Sequence, residues 1–177
     1  EIAPRAYAQY EQANNMTDRV AALNVLSEVT SDEADKAFAD FYDRFKDYQL
    51  VIDKWFALQA TAVRSDIIER LQSLRAHHDF NIKNPNRARS LFAAFAMNNP
   101  VSFHAEDGSG YAFLRDAVIE LNGINPQIAA RLLTPMRSWK SYSVDRQEKI
   151  KDALSEILKI KDIAPDVFEI ASKSLKA

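Results

Sequence analysis

Four polar side chains in the second half of the chain could act together on an anion. Arg87, Arg89 and Arg131 fall in the first turns after Asn-Pro pairs, where a guanidinium group and the positive end of a helix dipole both favour negative charge. Gln127 and Arg131 are four residues apart and therefore share one helix face. Pairing with Asp or Glu inside the domain is the alternative for a partly buried arginine. We predict that Arg89, Gln127 and Arg131 line one surface.

The histidines lack the spacing of a zinc site. A helical zinc site needs two ligands at positions i and i+4 together with a third ligand. Neither cluster has this spacing, and adjacent histidines are expected to point apart. Because the chain has no cysteine, a thiolate site is also excluded. We predict no metal and no catalytic residue in this chain. The two clusters are His77-His78-Asp79 and His104-Ala105-Glu106-Asp107.

The segment 103–111 mixes polar and aromatic side chains around two glycines. Gly108 and Gly110 allow positive φ values and could turn N–H groups toward an anion. The third glycine and the preceding strand of a dinucleotide site are missing, so an ordered turn before a helix is favoured. Ser109, His104 and Asp107 are the residue types of a triad, but without a nucleophile elbow we attribute this to chance. We also predict an interface loop formed by His104, Glu106, Asp107, Ser109 and Tyr111.

The elements that must position these residues are helices. The chain of 177 residues has only 3 glycines and 6 prolines, fewer than the turns of a β-rich domain require. Hydrophobic residues make up 47% of the sequence, which is enough for a packed core. They recur at helical spacing, for example at Ala34, Phe38, Phe41 and Phe45. These features predict an all-α fold in which residues 1–177 form a single helical domain.

Helix starts are also predicted from the sequence. Asn caps a helix and Pro fits its first position, so each Asn-Pro pair predicts a start. Thr30 and Glu33 form a capping-box pattern, Ser65 is available as an N-cap, and Pro165 begins the last helix. The three Asn-Pro pairs are Asn84-Pro85, Asn99-Pro100 and Asn125-Pro126.

A faint internal repeat favours a particular helical architecture. The segments at 84–91 and 125–132 match at Asn, Pro, Ala and Leu with an offset of 41 residues. This offset lies within the period of armadillo and HEAT repeats, which is about 40–47 residues. We therefore predict an α-α superhelix, an armadillo- or HEAT-like solenoid of about ten short helices, rather than a closed bundle.

Composition excludes several classes of function. A net charge of −2 and a pI near 6.0 lack the basic excess of a nucleic-acid binder. No run approaches 18 apolar residues, so no membrane span is predicted. The chain begins with glutamate and has no signal-peptide stretch, from which we expect a segment of a longer protein.

Six sequence blocks are long enough to be compared with known families: NNMTDR (14–19), DKWFALQA (53–60), NPNRARSL (84–91), FHAEDGSGY (103–111), NPQIAARL (125–132) and RQEK (146–149). Together they resemble the C-terminal domain of bacterial aminopeptidase N, a gluzincin zinc metallopeptidase family. The blocks follow the family's order and span most of the chain.

The resemblance implies a non-catalytic domain. The family's His-Glu-x-x-His zinc motif and its Gly-x-Met-Glu-Asn amine-binding motif are absent from this sequence. The zinc would therefore belong to the catalytic domain of the same parent chain, which removes N-terminal residues from peptides in the bacterial cytoplasm. The helical domain would cap that catalytic domain and form an internal chamber that controls peptide access. In this chamber Arg89, Gln127 and Arg131 would face the C-terminal carboxylate of the substrate.

Two further expectations follow. If the chain packs against a catalytic domain, it should expose an apolar patch, for which Tyr111, Phe113 and Trp139 are the predicted sources. The alternative function is a free-standing α-solenoid scaffold that binds a protein partner through its concave face. The sequence block motifs favour the peptidase domain.

Overall fold

The computed structural model describes residues 2–176, and these residues form helices joined by short connections, with no strand. None of these helices is long and apolar enough to cross a membrane. The all-α prediction is confirmed. The α-helices are α1 (Ile2–Gln12), α2 (Met16–Ser27), α3 (Asp32–Phe45), α4 (Gln49–Ala60), α5 (Ile67–Arg75), α6 (Pro85–Ala88), α7 (Ala94–Asn98), α8 (Pro100–Phe103), α9 (Ser109–Asn122), α10 (Pro126–Leu132), α11 (Val144–Leu158) and α12 (Pro165–Lys176).

The Asn-Pro pairs begin helices as predicted. The Asn84 side-chain oxygen accepts hydrogen bonds from the backbone N–H groups of Asn86 and Arg87, at the start of α6. Asn99 accepts from the third residue of α8 at 3.2 Å, and Asn125 accepts from the third residue of α10 at 3.2 Å. In each case proline occupies the first helical position, where its missing N–H leaves no donor unpaired.

Two other predicted caps are wrong. The hydroxyl of Ser31, rather than that of Thr30, caps α3 by accepting from the backbone N–H of Ala34 at 3.1 Å. Thr30 instead accepts from the guanidinium group of Arg64 at 3.0 Å. Ser65 does not cap α5, which begins two residues later without a side-chain cap. The Thr30 hydroxyl is thus engaged by a residue distant in the sequence, and the adjacent Ser31 supplies the cap.

Between α6 and α7 the backbone forms a π-helical turn at Arg89–Ala93. The sequence does not predict this turn. It joins α6 and α7 into one irregular helix in which Leu91 and Phe92 are buried and Arg89 is exposed. π-Helical turns are often found at functional sites.

Buried polar side chains join successive repeats at separations close to the sequence period. Asn99 donates to the carbonyl of Ala62 at 2.8 Å, 37 residues away. Asn122 donates to the carbonyl of Asp162 at 3.0 Å, 40 residues away, and accepts from the N–H of Ala164. The buried hydrophobic core is continuous from α1 to α12. Each repeat is therefore fastened to the next by both apolar contacts and hydrogen bonds, as in a solenoid.

Candidate functional site

A cleft between α10 and α12 brings together two of the three predicted lining residues. Gln127 and Arg131 both lie on its wall, because the Asn125 cap fixes the start of α10 and places these two exposed side chains on one face. The cleft has a volume of about 370 Å³. We call it the α10–α12 cleft; it is lined by Gln127, Ala130, Arg131, Thr134, Arg137, Asp166, Glu169 and Ile170.

The two arginines of this cleft have no ionic partner within the described part of the chain. No carboxylate of residues 2–176 lies within 4.0 Å of Arg131 or Arg137. Glu169 pairs with Lys173 of its own helix at 2.5 Å instead, and this hydrogen bond lowers the pKa of Glu169. The cleft therefore presents two guanidinium groups that can still bind an external anion.

Sequence reasoning missed Arg137, Asp166 and Glu169 as residues of this cleft. Arg137 follows a short 3₁₀ turn at Thr134–Met136, and the two acids lie in the first turns of α12. The packing of α12 against α10 brings the two acids to the cleft, and Arg137 lines it from the connection that follows α10. No local pattern encodes that packing, whereas Gln127 and Arg131 are recognisable from their spacing alone.

Arg89 does not line the α10–α12 cleft. It is exposed at the start of the π-helical turn and donates to the side chain of Asn86 at 3.3 Å. The π-helical turn does contact α10, so Arg89 belongs to an adjoining element. The structure therefore brings Gln127 and Arg131 together but does not add Arg89 to the same cleft.

The anion-binding interpretation is wrong for Arg87. This side chain is buried, and its Nε atom lies 2.6 Å from the carboxylate of Asp53. Its other nitrogens donate to the Asp79 carbonyl and to Gln49, and its guanidinium carbon lies 4.8 Å from the ring centre of Phe56. Here the alternative that the sequence left open, pairing within the domain, is the observed one.

The predicted interface loop is an ordered turn held by α11. Arg146 donates to the His104 carbonyl at 2.7 Å, and Lys149 donates to the Glu106 carbonyl. Asp107 accepts from both the N–H and the hydroxyl of Ser109, at 2.9 and 2.7 Å, and these bonds lower the pKa of Asp107. Glu106 and Asp107 are exposed, and the Glu106 carboxylate lies 3.7 Å from the guanidinium group of Arg146.

Two other members of that loop point inward or are bound internally. Tyr111 is buried in α9, and its hydroxyl lies 2.8 Å from Nδ1 of His104. Burial raises the pKa of Tyr111 to about 12, and burial together with the charge of Arg146 lowers the pKa of His104. The His104 ring also stacks on Tyr142 at 4.1 Å. Because His104 bonds Tyr111 and Ser109 bonds Asp107, these residues do not form a triad.

The aromatic residues predicted to form an exposed patch are in the core. Tyr111, Phe113 and Trp139 are all buried, and the Trp139 indole donates to the Ser174 carbonyl at 2.7 Å. These side chains pack between successive repeats; the Phe113 ring, for example, contacts the rings of Phe92 and Phe95. The largest exposed apolar side chains of the described residues are mostly aliphatic and are distributed over several helices: Ile2, Tyr48, Leu50, Val101, Val144 and Phe168.

The cluster at 77–79 differs from its expected geometry. The rings of His77 and His78 do not point apart but stack, with centres 4.4 Å apart and an angle of 27° between their planes. The Tyr42 hydroxyl oxygen lies 2.9 Å from Nε2 of His78, and the same hydroxyl donates to the Asp79 carboxylate. Desolvation by burial lowers the pKa of His77. The tight turn after α5 brings three potential ligands together without helical spacing.

Comparison with known proteins gives consistent matches. The family model described as "Domain of unknown function (DUF3458_C) ARM repeats" matches residues 1–176, which confirms the armadillo-like prediction. Aminopeptidase N of Escherichia coli (strain K12) is 42% identical, over 94% of this chain and 19% of that protein. Aminopeptidase N of Haemophilus influenzae is 43% identical over the same shares.

A solved structure shows the same fold. The crystal structure of Legionella pneumophila aminopeptidase A in complex with aspartic acid matches with a TM-score of 0.92 and 36% sequence identity. The match covers 98% of this chain and 20% of that chain. The chain thus spans about a fifth of the length of the relatives it matches.

Proposed function

Because the chain belongs to the DUF3458_C family of ARM repeats and is similar to relatives named aminopeptidase N, we propose that it is the non-catalytic helical domain of a zinc-dependent aminopeptidase. It caps the catalytic domain of the same parent chain, forms part of an internal chamber and controls the access of peptides. These 177 residues contain no His-Glu-x-x-His, so the zinc is held by residues outside them. The parent removes N-terminal residues from peptides in the bacterial cytoplasm.

The α10–α12 cleft carries the proposal for this chain's own residues. An aminopeptidase binds the N-terminus of its substrate, so the C-terminal carboxylate of a short peptide lies at the other end of the bound substrate. Arg131 and Arg137 are exposed, have no ion pair within residues 2–176 and both line the cleft, which suits a group of this charge and planar shape. Gln127 adds a neutral amide donor on the same helix face as Arg131.

The acids of the cleft set its selectivity. Asp166 and Glu169 lie on the opposite element, α12, so the cleft is not a broad cationic surface. Neither acid lies within 4.0 Å of Arg131 or Arg137, so both guanidinium groups can bond a ligand carboxylate, such as the end of an extended peptide. The negative charge of Asp166 and Glu169 disfavours a diffuse polyanion, which would also approach α12.

The test compares two substrates in the full-length parent enzyme. Arg131→Ala should reduce kcat/KM for a tripeptide with a free carboxylate by about 1–3 kcal/mol, or roughly 5- to 150-fold, because a charge-assisted hydrogen bond is lost. The same tripeptide with an amidated C-terminus should be nearly unaffected. Arg5→Ala, which removes an exposed arginine from a different cleft, is the matched control and should leave both substrates unchanged.

Two results would count against this function. Equal losses on the free and amidated peptides would show that Arg131 acts through the structure of the domain. A parent sequence without a His-Glu-x-x-His motif would favour the free-standing scaffold over the peptidase domain.

A further inference from the structure

A histidine and carboxylate cluster lies at the C-terminal end of α5, on elements that do not line the α10–α12 cleft. One nitrogen from His77, one from His78 and one carboxylate oxygen of Asp79 all lie within 4.8 Å of one another. Nε2 of His78 is 3.9 Å from Oδ2 of Asp79. We propose that these three residues form a binding site for a divalent transition-metal ion.

Two of the three ligands are held in place by the fold. The His77 ring packs against Trp55 and Phe56 of α4, with ring centres 5.2 and 5.7 Å away. Asp79 is held at both ends, because Tyr42 donates to its carboxylate and Arg87 donates to its backbone carbonyl. Fixed ligands of this kind lose little conformational freedom when they bind an ion, and Tyr42 acts as the outer hydrogen-bond partner that orients the carboxylate.

The third ligand has the freedom to complete the site. The His78 side chain is 74% exposed and can rotate without disturbing the core. Zn²⁺ binds imidazole nitrogen at about 2.0–2.1 Å, so tetrahedral ligand atoms are roughly 3.3 Å apart. Bringing the three atoms from within 4.8 Å to that separation requires a rotation of the His78 side chain, which also releases Nε2 from the Tyr42 hydroxyl.

The donor set selects the class of metal. Two imidazoles and one carboxylate suit Zn²⁺, Ni²⁺ or Cu²⁺, whereas Mg²⁺ and Ca²⁺ prefer oxygen ligands throughout. Three protein ligands leave a fourth position for water on the exposed side of His78. The sequence-based expectation of no metal assumed diverging histidine rings, whereas the two rings stack. Because an ion binds an imidazole nitrogen in the plane of the ring, His78 turns out of this stack to join His77 on one ion.

The experiment titrates the 177-residue chain with ZnCl₂ by isothermal calorimetry and with CoCl₂ by visible absorption. We expect one ion per chain, a visible absorption spectrum typical of Co²⁺ with a low coordination number, and no binding of Mg²⁺. His78→Ala and Asp79→Asn should each weaken Zn²⁺ binding about 10-fold or more. Asp43→Asn, which removes an exposed carboxylate of α3, should leave the affinity unchanged.

His104→Gln removes the one histidine outside the cluster and should retain the ion. Absence of Zn²⁺ binding to the wild-type chain would overturn the proposal. Equal Zn²⁺ affinity in the wild type and in His78→Ala would also overturn it, and circular dichroism of each variant checks that the helices are intact.

Discussion

The guanidinium group of Arg87 lies in the protein interior, with only 1% of the residue exposed. It bonds the carboxylate of Asp53 on α4, the carbonyl of Asp79 after α5 and the amide oxygen of Gln49. Arg87→Ala removes all three bonds at once and leaves Asp53, whose side chain is 13% exposed, without its cation.

The expected loss is large because of what remains behind. Breaking a buried ion pair from one side typically costs about 3–5 kcal/mol, most of it from the desolvated partner. For a chain of this size, 1 kcal/mol shifts Tm by about 2–4 °C, so Arg87→Ala should lower Tm by roughly 6–20 °C. Replacing both partners with apolar residues, as in Arg87→Met with Asp53→Leu, should recover most of the loss, because no charge is then left buried.

Urea unfolding followed by circular dichroism at 222 nm measures these free energies. Arg89→Ala is the matched control, since Arg89 lies two residues along the same helix, is exposed and makes one hydrogen bond to Asn86. It should change the free energy of unfolding by no more than about 0.5 kcal/mol. A loss below about 1 kcal/mol for Arg87→Ala, or a double variant as unstable as the single one, would refute the reasoning.

Three smaller perturbations test residues at the two ends of α9. Gly110→Ala should destabilise the chain by about 1–3 kcal/mol, because a Cβ there would lie 2.8 Å from Phe103 Cα and closer still to its carbonyl oxygen. Gly123→Ala, with no atom within 4 Å of the new Cβ, should be neutral or slightly stabilising in the same thermal melt. The hydrogen bonds from Ser109 lower the pKa of Asp107 in the folded chain. The ionised carboxylate therefore stabilises the fold above the ordinary aspartate pKa of 3.8, and this stabilisation is lost as the pH falls through the lower pKa of the folded state. The Tm difference between the wild type and Asp107→Ala should therefore narrow as the pH falls from 7 to 3, and a constant difference would argue against that hydrogen bond.

Helix type and helix starts could be predicted from sequence because local physics determines them. Asn and Pro satisfy or remove the free N–H groups of a first turn, whatever the helix packs against, and all three Asn-Pro predictions are correct. The cap predicted at Thr30 was wrong because Arg64, 34 residues away, donates to its hydroxyl, and Ser31 caps α3 instead. The cap predicted at Ser65 was wrong because α5 begins at Ile67, with Asp66 at the N-cap position.

The candidate site was predicted only as far as one helix extends. Gln127 and Arg131 share α10, so their spacing was sufficient to place them together. Asp166 joins them through the packing of α12 on α10, which depends on buried faces of both helices rather than on any local motif, and Arg137 joins them from the end of the 3₁₀ turn after α10. The stacking of His77 on His78 follows similarly from the turn after α5 and from the aromatic residues that surround it.

The three arginines that follow Asn-Pro pairs show why similar sequence positions have different roles. Arg87 lies on the face of α6 that meets α4, where Asp53 neutralises it, so it stabilises the fold. Arg89 lies two residues later, and the π-helical turn that begins there leaves it exposed. Arg131 lies on the open side of α10, where no carboxylate of residues 2–176 reaches it. The helix start gives each arginine its position along the chain, but only the packing of the neighbouring repeat decides whether its charge is used inside the domain or offered to a ligand.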